Sequence, residues 1–157
     1  MKIKLLVIGK TDDKNLGQLI EKYQQRLNHY INFEIEIIPD IKNVKNLSQL
    51  QQKEKEGELI LSKLKNTDQL VLLDEKGKEF RSLDFANFLQ KKMNSGIKQL
   101  VLVVGGPYGF SESVYKKTVG KVSLSKMTFS HQMIRLFIVE QLYRGFTILK
   151  NEPYHHE

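Results

Sequence analysis

Two stretches in the C-terminal part of the chain combine residue types that do chemistry. The first is VVGGPYGFSE (103–112), an apolar run that breaks into three glycines within five positions. Glycines let a ligand approach the main chain, and the unpaired N–H groups of a following helix attract anions. A nucleotide site fits that context, but two phosphate-binding identities fail. No Lys–Ser/Thr pair follows, as a P-loop requires. A dinucleotide site needs an acidic ribose partner about 20 residues on, and no Asp or Glu lies between Ser113 and Val139. Phosphate is therefore not the indicated ligand, and a plain strand-to-helix turn remains open.

The second stretch is SLSKMTFSHQMIR (123–135), in which small, hydroxyl and apolar residues lead into a helix that Ser130 is placed to cap. His131 and Arg135 stand four apart and share a face of its first turns. The positive end of a helix dipole disfavours imidazolium, so a neutral His131 is suited to accept a proton. A solvated polar face is the alternative. The ending PYHHE adds Tyr154, His155 and His156, although chain ends are commonly disordered. A metal site is not indicated, because the adjacent His155 and His156 point apart and His29 is remote. Neither G-x-S-x-G nor a paired-carboxylate spacing occurs, and there is no cysteine. With no protein nucleophile in view, group transfer between two bound ligands is favoured.

The 157 residues carry 25 basic and 18 acidic side chains, a net charge of +7. Such a balance favours polyanionic partners, nucleic acid first. A lysine-rich proteome is the alternative, since Lys supplies most of the basic residues. The distribution says more: Lys116, Lys117, Lys121, Lys126 and Arg135 all fall in the acid-free segment after the glycine loop. The absence of cysteine suits a cytoplasmic protein. No apolar run approaches the roughly 20 residues that span a bilayer, and MKIKLLVIGK reads as a strand instead of a signal peptide.

Elements that would position these residues alternate along the chain. Strands are expected at 2–9, 32–39, 69–77, 99–106 and 121–125, the first buried, the second with one wet face, and the fourth apolar throughout and hence covered on both faces. Amphipathic helices are expected at about 14–30, 48–65, 82–94 and 111–118, and a long one from Ser130 to Leu149. In the second helix, KEKEGE reads as a solvated charged face. In the last, Met133, Ile134, Phe137, Ile138, Leu142 and Phe146 read as core or dimer interface, and Glu140 and Arg144 as an i, i+4 ion pair. The alternation predicts one α/β domain with a largely parallel sheet.

Together, KIKLLVIGK, LVLLDEKGK, VVGGPYG, LSKMTFSHQMIR and EQLYRGFTILKNEPYH, in that order, resemble the ribosomal large-subunit RNA pseudouridine-N3 methyltransferases. The resemblance spans essentially the whole chain. It implies a single SPOUT-class domain over 1–157, an α/β fold whose largely parallel sheet is flanked by helices and whose C-terminal part forms a trefoil knot. It implies S-adenosylmethionine as cofactor, with contacts on Leu73, Gly105, Leu124, Ser125, Lys126, Met127, Thr128 and Phe129. A sulfonium cofactor carries no phosphate, in accord with the missing lysine and acid.

The implied reaction is methyl transfer to N3 of a pseudouridine in 23S ribosomal RNA, on assembled ribosomes, by a cytoplasmic homodimer without metal or membrane partner. His131 would orient the base or relay its imide proton. Arg135 would bind phosphate or stabilise charge on the imide. Tyr154 and His155 would join the RNA-facing side, the tail of one subunit approaching the other's pocket. A related knotted methyltransferase acting on transfer RNA, or a noncatalytic RNA- or ribosome-binding protein, are the competing readings.

Overall fold

The computed structural model describes residues 1–156. In chain order the elements are β1 (Lys2–Ile8), α1 (Lys14–Leu27), β2 (Phe33–Ile38), α2 (Gln49–Ser62), β3 (Asp68–Glu79), α3 (Ser82–Asn94), β4 (Gln99–Val104), α4 (Glu112–Lys117), β5 (Gly120–Ser123) and α5 (Met133–Leu149). The strands form one sheet in the order β2-β1-β4-β3-β5. Every neighbouring pair is parallel, so all the strands end on the same edge.

Side chains on a strand alternate between its faces, and that alternation divides the core in two. Leu100, Leu102 and Val104 of β4 join Ile3, Leu5 and Val7 of β1 in packing against α1, α3 and α5. Val101 and Val103 join Leu6, Ile8, Leu70 and Leu72 on the opposite face, with Ile60 of α2 and Val114 of α4. The parallel sheet flanked by helices is the architecture expected.

Four details differ from expectation. First, β3 runs on to Glu79, with a register shift opposite β5: Leu73 and Lys78 both pair with Val122. The intervening residues bulge outward, and Gly77 lets the strands close again, since a Cβ there would lie 2.7 Å from Val122 main-chain atoms. Second, KEKEGE is not wholly solvated. Glu56 and Gly57 are buried, because α2 docks so closely on α4 that a Cβ at Gly57 would overlap the Ser111 hydroxyl. Third, α1 ends at Leu27, short of the expected Tyr30. Fourth, α5 begins at Met133. Gln132, not Ser130, occupies the N-cap position and makes no side-chain capping bond, although Ser130 Oγ accepts the Met133 N–H at 3.0 Å.

Between β5 and α5 the chain crosses from the sheet edge back to the end of β1. Gln132 fastens it there, accepting the Asp12 N–H at 3.0 Å and donating to the Lys10 carbonyl at 3.1 Å.

Candidate active site

A pocket of about 630 Å³ opens beyond the carboxyl ends of β3, β4 and β5. Open parallel sheets commonly bind ligands at that edge. Its walls come from the β3 bulge, the glycine loop after β4, and the segment between β5 and α5. Leu73, Gly105, Leu124, Ser125, Met127, Thr128 and Phe129 all line it. Lys126 does not: its exposed ammonium lies 4.0 Å from Glu79.

Local hydrogen bonds shape the third wall. The Ser123 hydroxyl donates to the Ser125 carbonyl at 2.8 Å, and Ser125 Oγ accepts the Met127 N–H at 2.9 Å. These two bonds fold the segment back on itself beside the cavity. Phe129 stands on Phe137 of α5, ring centroids 5.0 Å apart, while Met127 is 76% exposed.

The glycines of the loop answer to what lies beneath them. A Cβ on Gly105 would press on the Phe110 ring at 3.0 Å, and one on Gly106 would strike the Glu56 carboxylate at 2.4 Å. Gly109 adopts a φ of 78°, the left-handed region that favours glycine. Its N–H donates to the Gly106 carbonyl and closes the turn.

His131 lies on the pocket wall, on the exposed turn before α5. Arg135 does not join it. The Arg135 side chain is 2% exposed and donates to the carbonyls of His131, Gly9 and Ile8 at 2.9, 2.8 and 2.7 Å. Burial lowers its pKa, opposed by the charges of Asp12 and Asp40. A guanidinium committed in this way holds the main chain, whereas the resemblance implied a phosphate or imide partner for it. A helical wheel gives the spacing of His131 and Arg135 but not the strand end waiting behind the helix.

A family model described as predicted SPOUT methyltransferase matches residues 1–155. The chain belongs to this family. Curated relatives named ribosomal RNA large subunit methyltransferase H are 73% identical in Flavobacterium psychrophilum and 68% in Parabacteroides distasonis, each over the full length of both chains. A solved structure titled as a probable methylase family protein from Haemophilus influenzae aligns with TM-score 0.55 at 10% identity, covering 95% of this chain and 66% of that one. That likeness concerns the fold.

In this SPOUT methyltransferase the tail is folded back, away from its own pocket. The Tyr154 hydroxyl donates to Glu140 at 2.9 Å and reaches the Tyr23 hydroxyl at 3.4 Å, with its ring edge-on to Tyr143. Burial first, then these hydrogen bonds, push its pKa well above the usual tyrosine value. Arg144 lies over that ring, pairs with Glu140 at 2.5 Å, and meets His155 Nδ1 at 3.3 Å. The tail cluster is thus built on α5 and α1, and only His131 among the four catalytic candidates lines this pocket.

Two polar features escaped the sequence. Asp74 lines the pocket from the β3 bulge and accepts a hydrogen bond from Tyr115 at 2.5 Å. Burial and that bond raise the Tyr115 pKa to about 12. A strand expected over 69–77 gives no sign of the outward bulge between Leu73 and Lys78. The other feature is Glu56, buried behind Gly106. Its signal was Gly57, since a glycine inside a helical run commonly marks close packing. Among the described residues no group suits a metal ion, and no helix is long and apolar enough to cross a membrane.

Proposed function

We propose that this chain transfers the methyl group of S-adenosylmethionine to N3 of a pseudouridine in large-subunit ribosomal RNA, on assembled ribosomes in the cytoplasm, as a homodimer of one knotted domain. The observation that carries the reading is the pocket, in a chain collinear with relatives named for large-subunit rRNA methylation. Its charged lining residues are Asp74, Glu75 and Lys76, so it does not concentrate the positive charge that phosphates need. Apolar Leu73, Val104, Leu124 and Ile134 offer a slot for a flat base. That lining fits a cationic, phosphate-free adenosyl cofactor.

When bound, S-adenosylmethionine supplies an electrophilic methyl group on a sulfonium. Leu124, Ser125, Met127, Thr128 and Phe129, the glycine loop and Leu73, which line the pocket, would hold it. His131, at the rim, takes the imide proton from N3 or orients the base. Arg135 fixes the turn that carries His131 and so acts as a positioning residue. The cluster of Tyr154, His155 and Arg144 serves the partner subunit's pocket, where Tyr154 offers a face for an unpaired base.

Titration calorimetry with S-adenosylmethionine tests the cofactor. Saturable binding that is lost on filling the pocket with Ser125→Trp supports the reading. Ribosome binding without any cofactor binding would overturn it in favour of a noncatalytic protein.

A further inference from the structure

Between Leu73 and Lys78 the ladder of β3 breaks against β5, since both residues pair with Val122. Bulges of this kind are common beside active sites, where they re-aim a side chain. Here the redirected residue is Asp74, half-buried and lining the pocket next to Leu73. Gly77 keeps the bulge tight, because a Cβ there would lie 2.7 Å from the Val122 main chain.

The Asp74 carboxylate is fixed from two sides. Its Oδ1 accepts the Lys76 N–H at 2.8 Å, and its Oδ2 accepts the Tyr115 hydroxyl at 2.5 Å. Tyr115 is held in turn: its ring meets Phe110 edge-on, centroids 5.9 Å apart, and Lys121 Nζ lies 5.4 Å from its centroid. With its pKa raised to about 12, the phenol stays a donor at neutral pH. A carboxylate offers about four acceptor positions, so Asp74 keeps capacity for a ligand. Among the described residues, Asp74 and Glu75 are the carboxylates that line the pocket, and Glu75 is exposed. The negative charge of the cavity therefore enters from the bulge, and Asp74 is its fixed part.

We infer that Asp74 is a specificity-determining residue that reads the charge of the cofactor, favouring the sulfonium donor over the spent thioether. This rests on the methyltransferase reading. Methyl transfer breaks the S–CH₃ bond, whose electrons stay on sulfur, and forms the N3–CH₃ bond as the imide proton passes from N3 to water. Donor and product thus differ by one positive charge as well as by a methyl group. A fixed carboxylate in a partly enclosed cavity acts on that charge with less screening than in open water. It would strengthen binding of S-adenosylmethionine and ease release of S-adenosylhomocysteine.

The test is titration calorimetry with each of these two ligands on the full-length wild type, Asp74→Asn and Glu75→Gln, with melting temperatures to confirm folding. Wild type is expected to bind S-adenosylmethionine about tenfold more tightly than S-adenosylhomocysteine. Asp74→Asn is expected to bring the two affinities within about twofold, chiefly by weakening S-adenosylmethionine, while Glu75→Gln keeps most of the preference. An unchanged preference in Asp74→Asn, equal losses for both ligands, or a matching effect of Glu75→Gln would overturn the role of Asp74 and leave the methyltransferase reading standing. If Asp74→Asn does not fold, the wild type decides: a preference for S-adenosylmethionine supports the role, and equal affinities or the reverse preference overturn it. A wild type that binds neither ligand would overturn the parent reading as well.

Discussion

Arg135 Nη2 donates to the Ile8 carbonyl at 2.7 Å, tying the first turn of α5 to the end of β1 across 127 positions of sequence. The same guanidinium holds Gly9 and His131, so one buried side chain joins the end of the first strand to the turn bearing the candidate base. Arg135→Ala would leave those carbonyls in a dry site without donors. We expect a loss of about 3 kcal/mol, seen as a melting temperature lower by about 10 °C. A shift of under about 1 °C would show that the tie contributes little.

The contrast between Arg135 and the strands shows what a sequence makes legible. The apolar runs in β1 and β4 stated both their strand character and their burial, because local pattern and tertiary environment agree there. Glu56 and Arg135 were misread for the opposite reason. Each is a charged residue whose burial is set by a distant backbone, Gly106 for one and Ile8 for the other. The pocket-lining residues Leu124, Ser125, Met127, Thr128 and Phe129 were legible through family motifs, whereas the outward bulge carrying Asp74 depends on how β5 pairs with β3.

Gly77→Ala should damage the pocket through that bulge. The added carbon meets Val122 main chain at 2.7 Å, and main chain cannot rotate away. The expected cost is about 2 kcal/mol, with weaker S-adenosylmethionine binding as Leu73 and Asp74 move. Denaturant melts and calorimetry check both, and an unaltered pair of values would contradict the bulge's role.

Tyr115 gives a pH dependence of defined sign. Its folded pKa is raised to about 12 from the ordinary 10.0 by burial and by donation to Asp74. The folded state therefore holds this proton where the unfolded chain releases it. The resulting stability is complete below about pH 10 and is lost as pH climbs toward about 12. Wild type should exceed Tyr115→Phe at pH 9, with the gap shrinking through that window. The effect is modest, because the ring is more than a third exposed. A gap that stays constant to pH 12 would contradict the assignment.

The exposed lysines 116, 117 and 121 should meet ribosomal phosphate. Replacing all three by alanine is expected to weaken ribosome binding and to reduce the slope of log K against log salt by about 2. Methylation and salt dependence that both stay intact would remove these lysines from the interface.

The most direct measurement is mass spectrometry of ribosomal RNA after unmethylated ribosomes, and separately bulk transfer RNA, are incubated with the protein and labelled S-adenosylmethionine. The account predicts one labelled methyl on N3 of a large-subunit pseudouridine, none on transfer RNA, and a rate about 10²-fold lower for His131→Ala. Label confined to transfer RNA, or no label on either despite cofactor binding, would contradict it.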